Sequence, residues 1–223
     1  LAPLYEAITN ALEAINQRQK KYGFGDPGTI KVCLYFTGLF DDSKDLERIE
    51  IIDNGIGFDD ENYARFEILF DASKGYNNRG SGRIQLLHRA ERVEISSYYK
   101  ANDNVFKRHF FFGRRGYITQ ASNVVSASPE KTGSTVTMSQ FSYTKREKKY
   151  VDELDLHELR NAIKSHYLLR LHLDKQRHPE SVPTIAVEFF KRGKSIGAAT
   201  IRPADIPSPV AHGDIKVPYV KIK

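Results

Sequence analysis

Leu4, Ile8, Ala11, Leu12 and Ile15 recur at helical spacing, so the pattern predicts an amphipathic helix from about Pro3 to Lys20. Gly23, Gly25, Pro27 and Gly28 end it in a loop. The period then changes to two. Ile30, Val32, Leu34 and Phe36 alternate with polar or small residues and predict a half-buried strand. A polar turn from Asp41 to Asp45 leads to a second strand near Glu47 to Ile52. A short helix is expected over Glu61 to Phe70, and another from Gly82 carrying Ile84, Leu86 and Leu87. Strands follow at Val93–Tyr99, Val105–Phe112, Tyr117–Ala121 and Thr135–Met138, then a helix from Leu154 to about Leu173, then strands at Thr184–Phe190 and Ser195–Ile201. Short strand connections with segregated helices predict an α+β fold: a two-layer α/β sandwich, helices on one face of a mixed, largely antiparallel sheet.

The chain has 223 residues, enough for one large domain or for one domain and the start of a second. The domain is expected over residues 1–201. Residues 202–223, with Pro203, Pro207, Pro209 and Pro218, read as a linker or the first strand of a following domain. The sequence lacks an initiator Met and begins almost inside a helix, which is expected of an excerpt from a longer protein. Hydrophobic residues make up 40% and no apolar run is long enough to span a membrane, so no membrane partner and a cytoplasmic location are expected. The single cysteine, Cys33, excludes an internal disulfide and a cysteine-rich zinc site, and it is expected to pack as a small apolar side chain. The net charge of +6 is moderate and spread out; its densest run, Lys145 to Lys149, reads as a solvated loop. Phe106, Phe110, Phe111 and Phe112 read as strand-core packing rather than as a base-stacking platform.

Three segments carry candidate chemistry. On the first helix Glu6, Asn10 and Glu13 share the face opposite Leu4, Ile8 and Ile15. A carboxylate can take a proton from water, and an amide oxygen one turn on can hold a hard cation such as Mg²⁺. Next, Asp53-Asn54-Gly55-Ile56-Gly57 ends a strand in a tight turn. Its carboxylate suits the exocyclic amino group of adenine, and the glycines allow close approach to a flat ring. The third, Ser73-Lys74 through Arg79-Gly80-Ser81-Gly82-Arg83, is a Gly-rich loop entering a helix, where free N–H groups and the Lys74, Arg79 and Arg83 charges suit phosphate. The P-loop pattern and the third glycine of the dinucleotide fingerprint are both missing.

The ordered set of Glu6/Asn10, Asp53-x-Gly55-x-Gly57, Arg79-Gly80-Ser81-Gly82 and Gly133-Ser134-Thr135-Val136 resembles the GHKL ATPases. That superfamily contains DNA gyrase, the ninety-kilodalton heat-shock chaperones, histidine kinases, MutL and the MORC proteins. The resemblance covers residues 1 to 201 and implies the Bergerat ATP-binding fold with ATP and Mg²⁺ as cofactors. It implies Glu6 as general base, Asn10 as Mg²⁺ ligand, and Asp53 as adenine reader with Gly55 and Gly57 under the base. Lys74 stands at the start of a lid, and Gly80, Ser81 and Gly82 stand where lid glycines wrap the phosphates. Ser134 replaces the usual Thr in the Ser134-Thr135 box on the adenine side. Glu13 stands where the hydrolases often have Asp.

Glu6 separates the alternatives, because histidine kinases usually carry Asn there to avoid activating water. The long strand insert from Val93 to Met138 also resembles the chaperone–MutL–MORC branch. The resemblance therefore implies an ATP hydrolase, slow in isolation, that drives a conformational change, partner remodelling or ATP-dependent dimer closure in a longer protein. A non-hydrolysing sensor and a histidine-kinase-type catalytic domain are the alternatives, and the client, protein or DNA, is left open.

Overall fold

The first apolar stripe forms helix α1 (Ala2–Tyr22) in the computed structural model, which describes residues 1–37, 45–68, 82–102, 104–114, 118–119, 122–125 and 131–208. Pro3 sits in its first turn, where no backbone N–H is needed. Gly23 closes it at φ 87°, a left-handed value that favours glycine. Strands β1 (Thr29–Thr37) and β2 (Asp45–Asp53) follow, then helices α2 (Asp60–Glu67) and α3 (Gly82–Leu86). Next come β3 (Ala90–Ala101), β4 (Asn104–Gly113), β5 (Ser122–Val125) and β6 (Gly133–Phe141). Helices α4 (Lys145–Asp152) and α5 (Leu156–Arg177) precede β7 (Thr184–Lys191) and β8 (Lys194–Ile201).

Among the described residues the strands form one eight-stranded sheet in the order β5–β4–β3–β6–β2–β1–β7–β8. Every neighbouring pair is antiparallel except β1 and β7. The fold is α+β, as the alternating patterns predict. Register explains why one face is the core. Val187, Val32, Ile51, Val136, Ile95 and Phe110 line up across six strands, and all are buried. Helix α1 covers this face with Leu4, Ile8, Leu12 and Ile15, and α5 with Leu159, Ile163 and Leu171. Each such side chain contributes about 1.5–3 kcal/mol on leaving water. Cys33 is buried, as expected of a small apolar side chain.

Two local expectations need correction. Lys145–Lys149 belongs to helix α4 and not to a loop, because Thr144-x-x-Glu147 forms a capping box. The run's charge then pairs along the helix, Lys148 with Asp152 and Lys149 with Glu153. The strand expected at Tyr117–Ala121 is also displaced. Of that span only Ile118 and Thr119 are described; Ile118 makes one isolated bridge to Phe112, and the paired strand is β5. Phe110 and Phe112 enter the core as expected, whereas Phe106 stacks on Tyr99 and Phe111 lies under the Arg92 guanidinium.

Past β8 the chain stays on the domain as far as Ile206, which is buried. Lys175 Nζ donates to the carbonyls of Pro203 (3.0 Å) and Ile206 (2.8 Å), and Arg160 pairs with Asp205. Residues 209–223 lie outside the described residues. No described helix is long and apolar enough to cross a membrane.

Candidate functional site

One row of the sheet breaks its apolar face. Asp53 of β2 pairs with Ser134 of β6, Ser134 with Ser97 of β3, Ser97 with Arg108 of β4, and Arg108 with Asn123 of β5. The next row inward is Ile51, Val136, Ile95 and Phe110, so four buried polar side chains replace apolar ones at one end of the core, with the exposed Asn123 continuing the row on β5. Asp53, Ser134, Ser97 and Arg108 are all buried. Buried polar groups persist only when bonded, and these are. The Ser134 and Ser97 hydroxyls lie 3.0 Å apart, and Ser97 Oγ donates to the Gly133 carbonyl (3.1 Å).

Asp53 is 9% exposed and accepts the Gly55 N–H on Oδ1 at 2.7 Å. Burial pushes its pKa up to about 7, since a charged carboxylate is costly to desolvate. Hydrogen bonds from the Gly55 and Ser134 backbone and the charge of Arg18 offset this only in part. Arg18, itself buried, is held by the carboxylate and carbonyl of Asp26. Asn54 fixes the neighbouring chain: its Oδ1 accepts from Thr29 N and its Nδ2 donates to the Pro27 carbonyl, both at 2.8 Å.

The turn after Asp53 folds against protein on both sides. Ile56 N donates to the Ala14 carbonyl of α1 at 3.0 Å. A Cβ on Gly55 would overlap Ala14, and one on Gly57, at φ 82°, would overlap the Tyr98 carbonyl. The close approaches that require these glycines are therefore to α1 and β3.

Glu6 and Asn10 lie half-buried on α1, one turn apart, with Asn10 Nδ2 3.4 Å from Glu6 Oε1. Beside them Tyr167 of α5 donates to the Tyr5 carbonyl and meets Thr9 Oγ1 at 3.0 Å, fixing this end of α1. Helix α1 thus carries Glu6 and Asn10 in its first half and the Ala14 contact to the Asp53 turn in its second. Among the described residues no three His, Cys, Asp or Glu side chains converge as a metal cage. A divalent ion at Asn10 would take its other ligands from phosphate and water.

The remaining sequence-derived residues fall differently. Thr135 points away from this row, because its register partners are Ile52 and Ser96 on the opposite face. Ser73, Lys74, Arg79, Gly80 and Ser81 lie outside the described residues, and Gly82 opens α3. Ser97 and Arg108 were not singled out by motif. Their signal is a polar residue at a core-facing position: Val93-x-Ile95-x-Ser97 and Arg108-x-Phe110-x-Phe112.

No protein-family model and no curated protein matches the sequence. Solved structures do match. The fold is similar to that of the N-terminal domain of a DNA repair protein. That crystal structure aligns with 92% of this chain at a TM-score of 0.52 and 17% identity. The chain spans about half of that chain's length, 53%. At this identity the likeness is one of fold.

Proposed function

We propose that this chain is a GHKL-type ATPase domain of the chaperone–MutL–MORC kind, binding ATP with Mg²⁺ and hydrolysing it. The observation that carries the reading is a single helix joining two chemistries: α1 presents the Glu6–Asn10 pair and, two turns on, seats the turn that follows the buried Asp53. The similarity to the N-terminal domain of a DNA repair protein supports the fold that the reading needs.

In this reading the Asp53 carboxylate accepts a hydrogen bond from the adenine amino group, and the Ser134–Ser97 hydroxyl pair borders it. Bound Mg²⁺ supplies charge neutralisation at the phosphates, and the Asn10 amide oxygen holds it. Glu6 takes a proton from the attacking water as the new oxygen–phosphorus bond forms and the bond to the β-phosphate oxygen breaks. Lys74, Arg79, Gly80, Ser81 and Gly82 are proposed to close over the phosphates, and ATP to draw two copies of the longer, cytoplasmic protein together.

Glu6→Gln in the full-length protein tests the mechanism. ATP affinity by calorimetry should stay near wild type while turnover falls by roughly 10²–10⁴-fold. Unchanged turnover refutes Glu6 as base, and equal wild-type affinity for GTP and ATP refutes Asp53 as adenine reader.

A further inference from the structure

We infer that Arg108 is a positioning residue of the nucleotide site, acting through the backbone of the turn that follows Gly57; the inference rests on the ATP reading above. Arg108 projects from β4 into the core with its side chain 5% exposed. A guanidinium so buried is rare unless every donor has a specific task. Here the tasks converge on three consecutive residues. One terminal nitrogen donates to the carbonyls of Phe58 (2.8 Å) and Asp59 (2.7 Å), and the other donates to the Asp60 carboxylate and the Tyr99 hydroxyl. The rings of Tyr63 and Tyr99 flank the guanidinium carbon at 4.7 and 4.8 Å.

Ser97 completes the device. It is the cross-strand partner of Arg108, and its Oγ accepts the Phe58 N–H at 2.8 Å. One register pair therefore grips both polar groups of Phe58, N–H by Ser97 and C=O by Arg108. The gripped residue directly follows Gly57, and the same Ser97 hydroxyl touches Ser134, the neighbour of Asp53. Loosening Arg108 frees the exit of the Asp53–Gly57 turn without removing any group that faces phosphate. Asn123 Nδ2 donates to the Tyr99 hydroxyl at 2.9 Å, which carries the grip outward to β5. A planar guanidinium is required, because a single ammonium cannot hold two carbonyls, a carboxylate and a phenol in these directions.

The test compares Arg108→Lys with wild type by titration calorimetry with adenosine, ADP and ATP, with and without Mg²⁺, using the full-length protein. Arg92→Lys, on the opposite face of the same hairpin, is the control. We expect Kd to rise by about tenfold or more for all three ligands, with stoichiometry and Mg²⁺ dependence kept. Titrations are run well below the variant's melting temperature, where the fold is fully populated, so a purely structural role leaves Kd unchanged, and that result overturns the inference. If Arg108→Lys does not fold, Ser97→Ala releases the other half of the grip; it should likewise raise Kd for all three ligands, and an unchanged Kd again overturns the inference. A wild type that binds no adenine nucleotide overturns the ATP reading and this inference with it.

Discussion

Asp53→Asn should stabilise the nucleotide-free protein at neutral pH while abolishing adenine recognition. The amide keeps an oxygen for the Gly55 N–H, which lies 2.7 Å from Asp53 Oδ1, but carries no charge into the core. In the folded chain burial raises the Asp53 pKa from 3.8 to about 7. Between those values the folded state holds a proton that the unfolded state has released. Stability from this group is therefore fully present below pH 3.8 and is lost as pH rises through about 7. A shift of about three units corresponds to about 4 kcal/mol at 1.36 kcal/mol per unit. Urea melts of both proteins without nucleotide, from about pH 4 to about pH 8, read the difference directly. The stability gap should move in favour of the variant by up to that amount across the range. Parallel pH profiles for the two proteins would refute the claim that burial raises the Asp53 pKa in the folded state. In the ATP reading, this cost in stability accompanies the carboxylate's role in adenine recognition.

Two further outcomes follow from local geometry. Gly57→Ala places a Cβ against the Tyr98 carbonyl at a left-handed φ of 82°, so it should destabilise by about 2 kcal/mol or more; a thermal melt within a degree of wild type refutes this. Thr144→Ala removes the hydroxyl that accepts the Glu147 N–H at 3.3 Å, and it should cost about 1 kcal/mol in denaturant melts while leaving nucleotide affinity unchanged.

Much of the fold is legible because burial and period agree. In α1 and β1 the apolar positions fall on one face and the ends carry strong breakers, so the predicted and observed spans differ by only a residue or two. Helix α4 was hidden for the opposite reason: only Val151 is buried, and the helix rests on its cap and charge pairs, which hydrophobic period does not register. Among the described residues Ile118 bridges Phe112 and Thr119 bonds Phe111, and the pattern does not distinguish such touches from a strand. Glu6, Asn10 and Asp53 stand out in the sequence as candidates by type and spacing, and the structure shows their burial and neighbours. Arg108 and Ser97 do not stand out, because their meaning depends on which strands become neighbours, and that pairing is long-range. Thr135 shows the converse: it stands next to Ser134 in sequence, yet the pleat sends it to the other face.

The polar row from Asp53 to Asn123 has a parity. Each of its members reaches the core side only because its strand alternates in step with four others, so adding one residue inside β3 would exchange Ser97 for a neighbour facing outward. Adding two would restore the face while shifting the row by one pleat. Lengths inside β2, β3, β4 and β6 should therefore tolerate change only in even steps or through compensating bulges. The Asp53–Asp59 connection is fixed too, by the Gly55, Gly57 and Phe58 contacts to α1, β3 and β4. The row acts as a frame-reading element for the sheet, rejecting odd slips that hydrophobic burial alone would penalise less sharply at its polar end.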